Sequence, residues 1–417
     1  MTEANWFLAD LSEYSATRAL LDLGLRSADQ HFRELVVPGI GSVWFVRQLS
    51  WTTAAIRMVE HHGVKSFTKT DAAHAIEALA CKAEYLHDKE SLRIRGKRAF
   101  DKDPDGNVTR SAAALVKPGS YVSTTFRQGT TRALTSLGLA TGGRFRQFCL
   151  TPAGASLADE ILKGSGFGSG NRNLASSLKG WFDDSTASGW QWNSVQRALS
   201  PNSPTKSERD IVAGRLFNVM EDNASKKRTV LRDIFEGKKT FPDPDLVVGP
   251  ALKARGELNQ ANELSLARAF GNFFDGALTV VRGTTRLLAN VNMVSADKLA
   301  NQDPVAEAIE ELKLRAQTFR DHPLCTQYGH VDARHFATMV TSLSGAGIIL
   351  DLATRDGRIL QRLDASVARG DLFRVIGAEA MTEEAGNEPQ DPENMQNFGR
   401  TFGLSQLFEL CGDIYRD

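Results

Sequence analysis

Apolar residues return at intervals of three and four through most of the chain, the spacing that lays them along one side of an α-helix. In "DAAHAIEALACKAEYLH" they are Ile76, Leu79, Ala80 and Ala83; Phe336, Met339, Val340 and Leu343 repeat the pattern, as do Leu404, Leu407, Phe408 and Cys411. These stripes predict amphipathic helices over residues 15–85 and from Asn259 onward. Between the helices stand turn and linker residues: Pro38-Gly39-Ile40-Gly41, the Gly/Ser-rich "KGSGFGSGNRN" (163–173), "NSPTK" (202–206) and the Pro-rich "TFPDPDLVVGP" (240–250). After "NSPTK", Ser207 followed by Asp210 predicts a capped helix start. Strand-like alternation is sparse, and no repeat of fixed period is visible. The expected fold class is mainly α and multi-domain, since 417 residues exceed the usual size of one core. The breaks suggest an N-terminal helical region (1–88), a distinct module (89–163), a connecting segment (164–206) and a C-terminal helical domain (207–417).

One stretch departs from the helical pattern: "RALTSLGLATGGRFRQFCLTPAGASLADEIL", Arg132 to Leu162. Together with the residues before it, "STTFRQGTTRALTSLGL" predicts a helix of about four turns. Phe126, Leu134 and Leu137 face inward, while Arg127, Gln128, Thr131 and Thr135 point mostly outward. Gly138 ends it by accepting the left-handed conformation. "LATGGRFRQFCLT" then reads as a two-stranded hairpin turning at Gly142-Gly143, and "PAGASLADEIL" starts a second helix. Helix, short hairpin and helix, with arginines on the outward face and at the tip, is the layout of a winged helix-turn-helix with a β-hairpin wing.

The same segment resembles the recognition-helix-to-wing region of MarR-like and PadR-like winged-helix proteins. Those proteins show a Leu-x-x-x-Gly-Leu helix end, a basic wing, and Leu-Thr-x-x-Gly-x-x-Leu leading into the next helix. The matching positions are Leu134, Gly138, Leu139, Arg144, Arg146, Leu150, Thr151, Gly154 and Leu157. About 40 residues are covered, a tenth of the chain. The expected nucleic-acid contacts are Arg127, Gln128, Thr131, Arg132, Arg144 and Arg146, extended by Arg93, Arg95, Lys97 and Arg98 of "KESLRIRGKRAF". A protein-docking or purely structural role for such a module stays open beside DNA contact.

Charge strengthens the DNA reading. The chain as a whole is neutral, with 50 basic and 50 acidic residues. Yet Lys89–Arg146 holds twelve Lys or Arg against four acids, a balance of +8, while Asp371–Asp417 holds ten acids against three Arg, a balance of −7. One segment attracts polyanions and the other repels them. Interleaved aromatics of the kind that stack single-stranded bases are missing from the basic segment. A hydrophobic content of 41% with 24% charged residues fits an ordinary folded protein. The most apolar piece, "GAGIILDLA", is too short to span a membrane. An acidic N-terminus, unlike a signal peptide, and four scattered cysteines (Cys81, Cys149, Cys325, Cys411) point to the cytoplasm.

Catalytic motifs are not found. "EGKKT" lacks the upstream glycine of a phosphate loop, and "GSGFGSG" sits in a linker. Pro242-Asp243 with Glu311-x-Lys313 is a poor nuclease pattern because of the long gap, and His87-Asp88 reads as a helix-end surface pair. His322, Cys325, His330 and His335 have the spacing of a zinc knuckle. Knuckles use three cysteines and one histidine, however, so helix-end histidines are the plainer reading, and neither a metal nor another cofactor is expected.

A second resemblance covers Leu23 to Arg57, "LGLRSADQHFRELVVPGIGSVWFVRQLSWTTAAIR", which is similar to the opening of uncharacterised bacterial proteins encoded in anti-phage defence islands. It implies a setting and no catalytic residue. The expected function is a non-enzymatic DNA-binding or scaffold subunit of a prokaryotic anti-phage or anti-plasmid assembly. Its expected partners are double-stranded DNA and other subunits, with homo-oligomers left open and no membrane. The rivals are a stand-alone winged-helix transcriptional regulator, for which the chain is long, and a divergent nuclease.

Overall fold

Helices follow one another with little else between them, as the apolar spacing requires. The computed structural model describes residues 22–101, 111–117, 119–122, 124–164, 173–183, 192–219, 222–371, 373 and 400–415. In chain order these contain α1 (Arg26–Val36), α2 (Val46–His61), α3 (Lys69–His87), α4 (Lys97–Asp101), α5 (Ala112–Leu115) and α6 (Phe126–Ser136). A two-stranded hairpin, β1 (Ala140–Thr141) and β2 (Cys149–Leu150), separates α6 from α7 (Pro152–Lys163). Then come α8 (Leu174–Asp183), α9 (Trp192–Leu199), α10 (Lys206–Phe217), α11 (Asn223–Phe235), α12 (Gly249–Ala254) and the long α13 (Leu258–Leu287). The remainder is β3 (Met293–Ser295), α14 (Ala296–Ala300), α15 (Asp303–Arg320), α16 (Cys325–Tyr328), α17 (Val331–Ser342), α18 (Gly345–Asp356), β4 (Leu360–Leu363), β5 (Ser366–Arg369) and α19 (Leu404–Tyr415). No helix among the described residues is long and apolar enough to cross a membrane. Most of "KGSGFGSGNRN" and all of "TEEAGNEPQDPEN" (382–394) lie outside the described residues.

The chain divides into two compact units, drawn differently from the sequence-based expectation. Met1–Phe32 with Ala261–Glu388 forms one, and Arg33–Gln260 with Pro389–Asp417 forms the other. The expected module boundary near residue 163 does not separate bodies, because α10 packs on α7 and α19 packs on α10, α11 and α2.

In the larger unit, Arg33–Gln260 with Pro389–Asp417, α2 is the central helix, packed against α3, α6 and α7. Its Leu49, Trp51, Ala54, Ile56 and Met58 are buried, and so are its polar Arg47, Gln48, Thr52 and Thr53. A buried polar group needs partners, and each of these residues has at least one, although Arg47 Nε and Gln48 Nε2 have none among the described residues. Arg47 pairs with buried Glu208 at 3.3 Å and donates to the carbonyls of Ala198 and of Ser203, the latter at 2.7 Å. Burial lowers the Arg47 pKa while Glu208 and Asp413 oppose the shift. Trp51 Nε1 donates to Leu199 O at 3.0 Å. The start of α10 corrects one expectation. Thr205, not Ser207, is the cap, its side chain accepting Glu208 N–H at 3.2 Å while Glu208 Oε2 accepts Thr205 N–H at 2.8 Å. Glu208 thereby closes the capping box and pairs with Arg47.

The smaller unit is centred on phenylalanines. Phe32 stacks on Phe270 with centroids 4.5 Å apart, and Phe273 lies 6.0 Å from Phe319 and 5.0 Å from Phe336. Helix α15 packs on α17, α14 on α18, and an antiparallel sheet of order β3-β5-β4 closes one side. Asp356 accepts the N–H groups of Ile359 (3.0 Å) and Leu360 (2.6 Å), fixing the entry to β4. Arg369 donates to the carbonyls of Leu288 and Val291 at 2.9 and 3.1 Å, satisfying acceptors left open where α13 ends.

Candidate nucleic-acid interface

Helix α6 begins in an unusual way. Its cap residue Thr125 makes no side-chain capping bond, and a carboxylate from α3 takes that role. Glu77 Oε1 accepts Phe126 N–H at 2.8 Å and Oε2 accepts Arg127 N–H at 3.0 Å. The Tyr121 hydroxyl lies 3.2 Å from Glu77 and 3.1 Å from Cys81 Sγ. Burial raises the Glu77 pKa, with Arg95 and these donors opposing the rise. The Cys81 thiol is pushed up to about 12, chiefly by burial, so it stays protonated and unreactive.

Three sides of α6 are covered or fixed. Phe126, Thr130, Ala133 and Leu134 face the core, and Leu137 just beyond is also buried. The turn from Pro38 to Ser42 lies along a second side: Ser42 N–H donates to Gly129 O at 3.2 Å, and a Cβ on Gly41 would come 2.7 Å from that oxygen. On the side nearer the hairpin, the Arg127 guanidinium lies 5.1 Å from the Phe145 ring centre. The face that the described residues leave uncovered carries exposed Gln128 and Arg132 with half-buried Thr131 and Thr135. Both threonine hydroxyls bond back to the helix, to Arg127 O (2.9 Å) and Arg132 O (3.0 Å).

The hairpin is short and firmly seated. Ala140 pairs with Leu150 and Thr141 with Cys149, while Gly142 makes the bend at φ 128°. Phe145 and Phe148 are buried beneath the tip, and Arg144, Arg146 and Gln147 are exposed on it. The "LTPAG" run explains what stops the hairpin. Thr151 caps α7 by accepting Gly154 N–H at 3.2 Å, its hydroxyl also donates to Gly138 O at 2.7 Å, and Pro152 takes the first helical position. Any side chain at 154 would strike Leu139 O, only 1.9 Å from the ideal Cβ. Gly138, at φ 62°, ends α6.

Gln128, Thr131, Arg132, Arg144 and Arg146 thus lie on α6 and the adjoining hairpin with surface to offer. The rest of the expected strip does not join them. Arg93 pairs with Asp413, donates to Pro201 O at 3.2 Å and covers the Phe45 ring. Arg95 donates to Thr124 O at 3.0 Å with its guanidinium 4.0 Å from the Phe126 ring centre. Both hold the scaffold together. Lys97 is half-buried on α4, and the side chain of Arg98 lies outside the description. The uncovered face of α6 also has a neighbour that sequence reasoning missed: Glu34 of α1 lies 3.1 Å from Arg132 Nε. The 97 residues between them leave no local signal for that pair.

The zinc candidate dissolves in the structure. Among the described residues no three His, Cys, Asp or Glu side chains converge as ligands. His322 Nδ1 accepts Leu324 N–H at 3.2 Å and its Nε2 meets Ser265 Oγ at 3.2 Å; His330 caps α17; His335 is exposed; Cys325 is buried. Ser27, His330 and Asp332 superficially suggest a hydrolytic triad, with Ser27 Oγ 3.1 Å from His330 Nε2 and His330 Nδ1 3.6 Å from Asp332. Nδ1, however, accepts the Asp332 backbone N–H at 3.3 Å. The proton of the neutral ring then sits on Nε2 and points at the serine, the reverse of what a base requires. Of the nuclease candidates, Glu311 pairs with Arg315, Lys313 with Glu310, and Asp243 caps the turn at Asp245 and Leu246. His87 and Asp88 are exposed at the end of α3. Comparison of the chain with protein-family models, with curated proteins and with solved structures gives no match.

Proposed function

We propose that this protein binds duplex DNA without acting on it catalytically, through α6 and the β1–β2 hairpin used as the recognition helix and wing of a winged helix-turn-helix. The observation that carries the reading is the face of α6 that the described residues leave uncovered, bearing Gln128, Thr131 and Arg132, beside a hairpin tip that exposes Arg144 and Arg146. A helix of three turns fits a major groove, and arginines at a hairpin tip reach the neighbouring backbone. Core-facing residues, the Glu77 cap and the Arg127–Phe145 contact hold that face rigid, which favours docking without reordering. The resemblance of Leu23–Arg57 to defence-island proteins adds the setting: a subunit of a multi-protein anti-phage assembly.

The test is equilibrium binding of the full chain to a mixed-sequence duplex over a salt series. Arg144→Ala with Arg146→Ala is expected to weaken binding and reduce the slope of log K against log salt by about two. Unchanged affinity and slope in a folded double variant would remove the wing from DNA binding. Co-purification of neighbouring gene products tests the assembly.

A further inference from the structure

Arg127 and Arg132 leave α6 on different sides, about 140° apart around the helix. Arg127 turns to the hairpin, where Phe145 covers it. Arg132 turns the other way, toward the Pro38–Ser42 turn, and there meets Glu34. The two members of this pair are not equally held. Glu34 is four-fifths buried, and its Oε2 accepts Gly39 N–H at 2.9 Å, so the turn itself fixes the carboxylate. Arg228 is fully buried, donating to Pro38 O at 2.7 Å and Leu216 O at 2.9 Å; its charge is met first by Asp222 at 3.6 Å and, more weakly, by Glu34. Arg132 is nearly half exposed at its side chain and has a long, flexible stem. The acid is built in and the base can leave.

We propose that Arg132 is a second duplex-phosphate contact, on the flank of α6 opposite the wing, and that Glu34 engages it in the free protein until a DNA phosphate takes the guanidinium over. The inference rests on the DNA-binding reading above. It follows from two observations and one chemical likeness: the pair stands at the edge of the face of α6 that the described residues leave uncovered, the arginine is the more exposed partner, and a carboxylate and a phosphate present the same kind of anionic oxygen to a guanidinium. Binding therefore proceeds by exchange of one ion pair for another. The protein thereby gives up part of the phosphate affinity that an unpaired Arg132 would supply.

A double-mutant cycle on the full chain tests this, using the same duplex and salt series. Glu34→Gln keeps an oxygen for Gly39 N–H while releasing Arg132, and is expected to bind about fivefold tighter, the scale of one exposed ion pair. Arg132→Ala is expected to bind several-fold weaker, with the salt slope reduced by about one. In the Arg132→Ala background, Glu34→Gln is expected to bring no gain. Glu34→Asp, one methylene shorter, provides a second variant should the glutamine disturb the turn, and it too is expected to tighten binding. Two outcomes overturn the proposal: no tightening by either Glu34 variant, or an equal gain with and without Arg132, which would make Glu34 a simple repulsive charge. Wing variants that weaken binding while Glu34 variants do nothing would sink this proposal alone. Indifference to duplex by the wild type and every variant would sink the DNA reading with it.

Discussion

Glu77 commits both carboxylate oxygens to backbone N–H groups 49 and 50 residues away, and no local pattern announces that. In the sequence it is one polar residue on an apolar stripe. In the structure it fixes where α6 starts. Glu77→Gln removes one of the two acceptors and places an amide N–H₂ against a backbone donor, so it is expected to cost about 1–3 kcal/mol of stability. The pH dependence has a definite sign. Because the folded-state pKa is raised, the group contributes stability that is fully present below the unfolded value near 4.5 and lost as pH rises through the folded value. The wild type should therefore gain on the glutamine variant as pH falls toward 4.5, in urea unfolding followed at several pH values. A gap that stays flat, or narrows on acidification, contradicts this account of the site. The histidines teach the opposite lesson. Their spacing was suggestive, but a spacing says nothing about ring orientation, and His322 and His330 direct their Nδ1 atoms at backbone N–H groups. Chelation is accordingly expected to leave the melting temperature unchanged, and a fall on adding EDTA would reinstate a metal.

Among the elements, α6, the hairpin and α7 were the most legible because their boundary residues have local duties. Gly138 turns the chain at φ 62°, Gly142 bends it, Thr151 caps and Pro152 opens the next helix. Such duties belong to four or five consecutive residues and can be read without knowing the fold. Gly154 shows how tightly this is built. Gly154→Ala puts a methyl into the Leu139 carbonyl, so α7 must shift away from the hairpin base. The expected loss is about 1–3 kcal/mol, comparable with overpacking elsewhere, and a thermal melt indistinguishable from wild type would refute the close contact. The β3-β5-β4 sheet was not legible. Strand β4 buries only its first residue, Leu360, and exposes Gln361, Arg362 and Leu363, so the two-residue alternation that marks a strand is absent. Arg93 and Arg95 were misplaced for a related reason. A run of basic residues looks solvated until its partners are known, and the Asp413 that pairs with Arg93 lies 320 residues further on.

At the scale of the whole molecule, the chain begins in the smaller unit with Met1–Phe32, builds the larger from Arg33 to Gln260, goes back to the smaller for Ala261–Glu388 and ends in the larger. A last helix packed on what precedes it in sequence would belong with α13–α18; instead α19 packs on α2, α10 and α11. Its Leu404, Leu407, Phe408, Leu410, Cys411 and Ile414 are all buried, so the apolar stripe seen in the sequence finds its cover within its own unit. Asp413 adds polar ties, accepting Val46 N–H at 2.8 Å and pairing with Arg93. Each fully buried apolar side chain contributes about 1.5–3 kcal/mol, so six of them match or exceed the roughly 5–15 kcal/mol that holds a typical domain together. Deleting Thr401–Asp417 is therefore expected to unfold the unit of Arg33–Gln260, far away in sequence, and to spare the unit nearer the cut. Tryptophan fluorescence reads the first, since Trp44, Trp51 and Trp181 are buried there; amide exchange across α15, α17 and α18 reads the second. The truncated chain should show tryptophans already solvent-exposed at 25 °C, or a transition shifted far down in temperature, while those three helices retain protection. Loss of protection in α15–α18 with the tryptophan transition unmoved would mean that α19 stabilises the wrong unit for this division of the chain.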